Sequence, residues 1–233
     1  MLLSDFKDRH KGRRGWVVGN GPSLNKMDLR FLAGEVSFGM NCIYLGFEKF
    51  GFRPTYYTVE DVFVAEDNRE AISGLGGLVK FIPTDLAHAI ADDENTCWVN
   101  FVRHYKPYPQ FSEDCADKVY WGSTVTYLAL QLAYYMGCDP IYLIGVDFDY
   151  KVPGWAENQE EITSREDDVN HFHPAYFGPG KRWHHPRLDR VEPSYRLARE
   201  FFDARGRSLI NAGVGGKLEF FPRADYRDVL REG

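Results

Sequence analysis

Residues 16–24 read Trp-Val-Val-Gly-Asn-Gly-Pro-Ser-Leu, a short apolar run that passes through a glycine-containing turn into a proline and a serine. Such a run predicts a buried strand, and the Pro-Ser pair is typical of the first turn of a helix. In α/β sheets a strand-to-helix junction of this kind binds phosphates, because free N–H groups at the helix start face the negative charge. The stretch therefore predicts an α/β fold with an anion site at its first turn.

The turn itself supplies four candidate nucleotide contacts. Gly19 and Gly21 let a ligand approach the backbone closely, since they carry no side chain. Ser23 can cap the helix or donate a hydrogen bond to a phosphate oxygen, and the amide of Asn20 can both donate and accept. A turn that needs glycine for its geometry alone would show the same pattern.

The composition is ordinary for a globular domain. The chain has 233 residues, of which 44% are apolar and 27% are charged, so we expect a single domain over residues 1–233. Its net charge of −6 argues against a nucleic-acid partner, and its four cysteines, without a CxxC pair, indicate reduced thiols. No apolar run is long enough to cross a membrane, and no signal-peptide pattern is present. We therefore expect a cytoplasmic protein that is not transmembrane, contacts membranes only through partners and is able to form a homo-oligomer.

Apolar patterning along the rest of the chain alternates between strands and helices. Strands are predicted at residues 35–41, 54–59, 78–82, 98–102, 141–147 and 207–210. Helices are predicted at residues 43–50, 62–73, 127–136, 192–204 and 223–232. This alternation predicts one Rossmann-like domain with a mostly parallel sheet flanked by helices. A polar, aromatic segment at 151–190 follows the Gly-Val-Asp-Phe strand, and its length is typical of a lid or an acceptor-binding insertion.

Candidate ligand contacts recur at the carboxyl ends of the predicted strands, the edge where open α/β sheets bind ligands. Asn41 ends the second strand, and Gly145 permits close backbone approach near the end of a later one. Ser123 and Thr124 begin the most apolar helix, where they either cap it or help to bind a phosphate or carboxylate. Asp147 can accept from a ribose hydroxyl, hold Mg²⁺ or fix a loop.

The predicted insertion contains residues that suit acid–base chemistry. His171 and His173 carry imidazoles, which titrate near neutrality and can take a proton from a hydroxyl group. Tyr176 can donate a hydrogen bond to a leaving phosphate. No cysteine or close acidic residue completes a zinc-binding spacing around them, so no metal site is expected here.

Three blocks together resemble a known group of transferases: residues 19–24, the strand that ends at Asn41, and residues 141–148. They are similar to the bacterial sialyltransferases of the Campylobacter type and to the wider DUF115 group. That group includes the motility accessory factor glycosyltransferases and the archaeal MptE-like 6-hydroxymethylpterin diphosphokinases. The resemblance covers most of the chain loosely and does not separate these activities.

The resemblance to the sialyltransferases implies roles for particular residues. Asn20 and Asn41 would contact a cytidine nucleotide, and Ser123 or Thr124 would contact the carboxylate of the sugar. Tyr150 is the nearest equivalent of the tyrosines that stabilise the leaving phosphate. Such a transfer needs no metal or other cofactor, because tyrosines and helix amides replace the cation.

The catalytic base implied by the resemblance is a histidine, and His173 is the first candidate. In the family this histidine is followed directly by an aromatic residue and then a glycine. Here Pro174 and Ala175 intervene before Tyr176, so His171 remains a second candidate.

Together these features predict a glycosyltransferase for surface polysaccharide synthesis. Its donor would be a nucleotide-activated sugar, CMP-linked and sialic-acid-like, and its acceptor a glycan or a small molecule. A first alternative is Mg²⁺-dependent diphosphate transfer from ATP to a pterin, with Asp147, Asp149, Glu60 and Asp61 as candidate metal ligands. A second alternative is a nucleotide-binding module without catalysis.

Overall fold

The structure, a computed structural model, describes residues 1–231. Its strands are β1 Gly15–Val18, β2 Val36–Met40, β3 Tyr56–Thr58, β4 Val79–Pro83, β5 Thr96–Val99, β6 Phe101–Val102, β7 Val119–Tyr120, β8 Ile141–Ile144, β9 Glu161–Thr163, β10 Arg182–His184 and β11 Leu209–Asn211. Its α-helices are α1 Phe47–Phe50, α2 Val62–Asp67, α3 Arg69–Ser73, α4 Val125–Tyr135, α5 Leu188–Asp203 and α6 Tyr226–Arg231.

Seven of these strands form one parallel sheet in the order β11-β8-β1-β2-β3-β4-β5. The chain moves outward from β1 to β5 and then returns to the other side of β1 with β8 and β11. The carboxyl ends of β1 and β8 therefore flank the point where the strand order reverses, which is where open α/β sheets bind ligands. The predicted Rossmann-like α/β fold is confirmed.

The central strands are apolar because both faces of the sheet are covered. Val17 of β1 belongs to the hydrophobic cluster under α4 and α5, whereas Trp16 and Val18 pack in the cluster on the opposite face with Leu24. Every residue of α4 except Tyr134 is buried, as its nearly continuous apolar sequence predicts.

Polar side chains interrupt two of the predicted elements. The predicted helix 62–73 is divided into α2 and α3, because the amide of Asn68 donates to the carbonyl of Val64 at 2.9 Å where α2 ends. The predicted strand 98–102 is divided into β5 and β6 at Asn100, whose side chain donates to a backbone carbonyl of the loop before β7 at 2.7 Å. Both hydrogen bonds are made by polar side chains, one within a helical turn and one to a distant loop. The periodicity of apolar residues therefore could not predict either of them.

Several predicted helices differ in type or length. The helix start predicted after the first strand is a short 3-10 helix, Pro22–Lys26. The first half of the predicted helix 43–50 is also 3-10 helix, and α1 covers the second half. The predicted helix 192–204 begins earlier, as α5. The predicted helix 223–232 is shortened to α6, and its final residue lies outside the described residues.

The segment 151–190 is more regular than its sequence predicts. It contains the antiparallel pair β9 and β10, in which Trp183 lies opposite Ile162. This hairpin packs against α2, where the guanidinium of Arg182 is paired with Asp67 and with Glu66 at 2.9 Å. The insertion is therefore anchored on the body of the fold.

Lys80 of β4 is fully buried, and its ammonium group is paired with the carboxylate of Asp93 at 2.6 Å. Removing this carboxylate leaves a buried charge without its partner, so we expect Asp93→Ala to lower the free energy of unfolding by about 3 kcal/mol. Urea denaturation measures the loss. Glu94→Ala, at an exposed neighbouring position, is the control, and equal losses in the two variants would contradict the prediction.

Candidate functional site

A cavity of about 640 Å³ lies at the carboxyl ends of the central strands, beside the reversal point between β1 and β8. Its volume is in the range of small-molecule sites. Loops after β1, β2, β3 and β8 form one side, and the insertion 151–190 forms the other. Of the predicted site residues and metal ligands, those that line the cavity are Gly19, Asn20, Gly21, Asn41, Glu60, Asp61, Ser123, Thr124, Gly145, Asp147, Asp149, Tyr150, His171 and Tyr176.

Two asparagine side chains offer acceptor atoms on the cavity wall. The amide nitrogen of Asn20 donates to the carbonyl of Met40 at 3.1 Å, which fixes the orientation of the side chain. The amide oxygens of Asn20 and Asn41 are buried and have no donor among residues 1–231. A buried acceptor without a donor is costly, and an N–H or O–H group of a ligand would satisfy it. The two oxygens therefore point to a ligand that donates hydrogen bonds.

The backbone is strained at three non-glycine residues that line the same cavity. Asn41, Ser123 and Phe148 have φ values of +48°, +62° and +51°, a region that residues with a side chain rarely adopt. Such strain persists only where the surrounding structure imposes it, and it is concentrated at binding and catalytic sites.

Asp147 fixes the loop that follows β1. Its carboxylate accepts from the backbone N–H of Ser23 at 2.9 Å and from the hydroxyl of the same residue. A Cβ atom on Gly21 would lie 2.4 Å from this carboxylate, so glycine is required for the approach of the two loops. Ser23 consequently does not line the cavity, and the prediction that it contacts a phosphate is not supported by its position.

The four carboxylates considered as Mg²⁺ ligands each have a partner within the protein. Asp149 pairs with Lys217 at 2.6 Å, and Asp61 pairs with His184 at 2.7 Å and caps α2. Asp147 is bound by Ser23, as described above, and Glu60 by Arg103. In residues 1–231, no group of three or more histidine, cysteine or acidic side chains could hold a metal ion. The described residues therefore do not form a magnesium site.

His171 lines the cavity and is hydrogen-bonded to Asp168 behind it. The Nδ1 atom of His171 lies 2.7 Å from a carboxylate oxygen of Asp168. The imidazole is stacked on the ring of Tyr176, with centroids 3.8 Å apart and planes nearly parallel. Burial raises the pKa of Asp168, but the bond from His171 and the backbone N–H groups of Asn170 and Phe177 outweigh it and hold that pKa below its ordinary value. The ionised carboxylate thus orients the imidazole, whose Nε2 has no hydrogen-bond partner in the described chain.

His173 lies outside the cavity, in contrast to its predicted role as the base. Its Nδ1 accepts from the backbone N–H of Ala175 at 3.1 Å, so the ring caps the turn that Pro174 and Ala175 form. The two inserted residues thus turn the second histidine away from the site and leave the first one facing it.

Glu60 and Arg103 form an ion pair on another part of the cavity wall. The guanidinium donates to the carboxylate of Glu60 at 3.0 Å and to its backbone carbonyl at 2.7 Å, and it also contacts Asp85. Burial raises the pKa of Glu60 to about 7, because its loss of hydration outweighs the attraction of Arg103. Arg103 and Asp168 were missed from the sequence, since both lie in segments without periodicity and find their partners only through the fold.

The fold and the cavity define a Rossmann-like α/β protein with a cavity at the reversal point of its sheet. The sequence model of the family described as 6-hydroxymethylpterin diphosphokinase MptE-like matches residues 1–153, which is more than half of the chain. The chain therefore belongs to the MptE-like family, and its resemblance to this group is confirmed.

A solved structure with a similar fold is that of a MAf glycosyltransferase from Magnetospirillum magneticum AMB-1. The two share 18% sequence identity with a TM-score of 0.56, over 97% of this chain and 38% of the other. This likeness shows the fold alone, and the present chain spans well under half of the length of that protein. A search of the curated proteins found no match. In residues 1–231, no helix is both long and apolar enough to cross a membrane.

The raised pKa of Glu60 gives a pH-dependent stability. Because the fold favours the neutral carboxyl, its contribution is complete below the ordinary pKa of 4.5 and is lost as the pH rises through about 7. The side chain of Glu60→Gln stays neutral at every pH. We therefore expect the free energy of unfolding of this variant, relative to that of the unsubstituted protein, to rise by about 2 kcal/mol when the pH is raised from about 5 to about 8. Urea denaturation at both pH values measures this. The control is Glu48→Gln on exposed α1, and a difference that does not change with pH would contradict the assignment.

Proposed function

We propose that this protein is a glycosyltransferase that uses a nucleotide-activated sugar, CMP-linked and sialic-acid-like, and transfers it to a hydroxyl group of a glycan or small molecule. The main observation that supports this proposal is the imidazole of His171 at the cavity, which the carboxylate of Asp168 orients. An imidazole held in this way, with a free Nε2, is suited to removing a proton from a hydroxyl group. The fold shared with the MAf glycosyltransferase supports this proposal. A cytoplasmic location and a surface polysaccharide as the product belong to the same proposal.

The asparagine pair supports a nucleotide as the activating group. A nucleotide carries ribose hydroxyls and base N–H groups, which are the donors that the buried amide oxygens of Asn20 and Asn41 lack. Both side chains lie where the loops after β1 and β2 meet, on the ligand-binding edge of the sheet. We therefore assign this part of the cavity to the nucleoside.

Transfer proceeds by displacement at the anomeric carbon. The acceptor oxygen forms a bond to this carbon while the bond from the carbon to the phosphate oxygen breaks, and the electron pair leaves with the nucleotide. The proton of the acceptor hydroxyl passes to Nε2 of His171, and the Asp168 carboxylate stabilises the imidazolium that results. No metal takes part in these steps.

Of the two candidate tyrosines, Tyr150 is better placed than Tyr176 to contact the leaving phosphate. Tyr176 is 1% exposed and its ring supports His171, so we assign it to positioning the imidazole. Tyr150 is 43% exposed at the cavity wall, where its hydroxyl is available to donate to the phosphate.

Mg²⁺-dependent diphosphate transfer is the second candidate, because the family description names a 6-hydroxymethylpterin diphosphokinase. The partners of the four acidic side chains weigh against it, since a carboxylate held by Ser23 or Arg103 must be released before it binds a cation.

Isothermal titration calorimetry with CMP, CDP and ATP, each with and without Mg²⁺, separates the candidates. We expect CMP to bind without Mg²⁺, and Asn20→Ala to weaken that binding by at least about tenfold because it removes a hydrogen-bonding partner. Asn158→Ala, at an exposed position of the insertion, is the matched control, and thermal unfolding checks that both variants fold. Binding of ATP that requires Mg²⁺, together with no binding of CMP, would favour diphosphate transfer instead.

The identity of the base is tested by two alanine substitutions. Loss of a general base lowers the rate of the chemical step by about a hundredfold or more, so we expect that reduction in kcat for His171→Ala. His173→Ala is the internal control and should keep the kcat of the unsubstituted protein, since its ring lies outside the cavity. The reverse result would assign catalysis to His173.

A further inference from the structure

Arg190 stands apart from the other arginines that line the cavity. Arg103 is paired with Glu60 and Asp85, and Arg187 is paired with Asp189 at 2.8 Å. Within residues 1–231, Arg190 has neither a carboxylate in ion-pair range nor an acceptor for its guanidinium N–H groups, although it is half-buried. A cation shielded from water without a counter-charge is unfavourable, and an anionic ligand would compensate it.

Two aromatic rings hold this guanidinium in place. It lies 4.8 Å from the ring centroid of Tyr108 and 4.6 Å from that of Trp121. Cation–π attraction of this kind holds the guanidinium without a protein acceptor for its N–H groups, so those groups remain able to donate to a ligand. The side chain is therefore positioned for an oxyanion before any ligand binds.

The first turn of α4 lies beside the same clamp. The hydroxyl of Tyr108 donates to the backbone carbonyl of Arg190 at 2.9 Å and is 3.0 Å from the hydroxyl oxygen of Ser123. Ser123 carries the strained backbone described above, and Thr124 caps the eleven-residue helix. The positive end of the α4 dipole thus lies near the unpaired cation. The buried, unpartnered oxygen of Asn20 is an independent indication that this cavity holds a ligand.

We propose that Arg190 and the first turn of α4 form a subsite for the phosphate group of the nucleotide. This proposal rests on the proposed function in one respect, namely that the phosphate belongs to the sugar donor. During transfer, the guanidinium compensates the charge that develops on the phosphate as its bond to the anomeric carbon breaks. A carboxylate on the transferred sugar has related chemistry, and the experiment distinguishes the two.

The test compares the affinities of CMP, cytidine, pyrophosphate and a CMP-linked sialic acid for the full chain. Calorimetry is performed on the unsubstituted protein, on Arg190→Met and on Arg190→Lys. We expect Arg190→Met to weaken CMP and pyrophosphate by at least about tenfold and to leave cytidine unchanged, because only the first two carry phosphate. Arg190→Lys should give an intermediate loss of affinity for CMP and pyrophosphate, since it keeps the positive charge but not the planar guanidinium.

Arg196→Met is the matched control. Arg196 is on the same helix and also lies over an aromatic ring, that of Phe220 at 4.9 Å, but it is paired with Glu192 and does not line the cavity. Its substitution should change no affinity. Thermal unfolding of both methionine variants shows whether either has lost its fold.

Three outcomes would overturn the subsite. Equal weakening of CMP and cytidine by Arg190→Met would show that the side chain only packs. Weakening of the CMP-linked sialic acid without any effect on CMP would assign the anion to the sugar carboxylate. Failure of the unsubstituted protein to bind either CMP or pyrophosphate would exclude a phosphate site.

Failure of the proposed function has a different signature. If pyrophosphate binds in an Arg190-dependent manner while CMP does not bind, the phosphate subsite is supported and the cytidine donor is wrong. If CMP binding depends on Arg190 while His171→Ala leaves turnover intact, the subsite is again supported and the mechanism is wrong.

Discussion

The carboxylate of Asp147 holds the loop after β1 against the loop after β8, and the shape of the cavity depends on this contact. It engages both the backbone and the hydroxyl of Ser23, and the missing side chain of Gly21 provides the space for it. The same loop binds the insertion, because the carbonyl of Asn20 accepts from the backbone N–H of Phe172 at 2.8 Å. One acidic side chain thus fixes the loop after β1 and, through it, the backbone next to His171.

The insertion is held from a second direction by its hairpin. Arg182 and Lys181 of that hairpin bind the end of α2, the latter through the carbonyl of Asp67 at 2.7 Å. Asp168 and His171 lie in the chain between the hairpin strand β9 and Phe172, and the stacked ring of Tyr176 supports His171. If His171 acts as the proposed base, its support by packing and hydrogen bonds means that it needs little reorganisation when substrate binds, which favours proton transfer.

The features that could be predicted from the sequence are those that depend on residues close together in the chain. The apolar run at Trp16 and the apolar helix α4 were evident because burial on both faces leaves a continuous hydrophobic signal. The residues around the cavity were found at strand ends, since parallel strands share one ligand-binding edge. The contacts of Asp147 with Ser23 and of Arg190 with two aromatic rings were not predictable, because they join segments far apart in the sequence. The sequence also could not show that His171 lines the cavity and His173 does not, because periodicity does not specify the path of an irregular insertion.

The position of α4 explains how a chain with a net charge of −6 could receive an anionic donor. At its carboxyl end, the basic segment 7–14 donates backbone N–H groups to the carbonyls of Tyr135, Met136 and Gly137, so positive charge meets the negative end of the dipole. At its amino end, the positive pole lies beside Arg190, which has no carboxylate within ion-pair range in residues 1–231. The field that a ligand meets is set by these nearby groups, because exposed charges farther away than a Debye length of about 8 Å are screened. A cation left unpaired at the end of a buried helix therefore matters more for the proposed phosphate contact than the acidic surface as a whole.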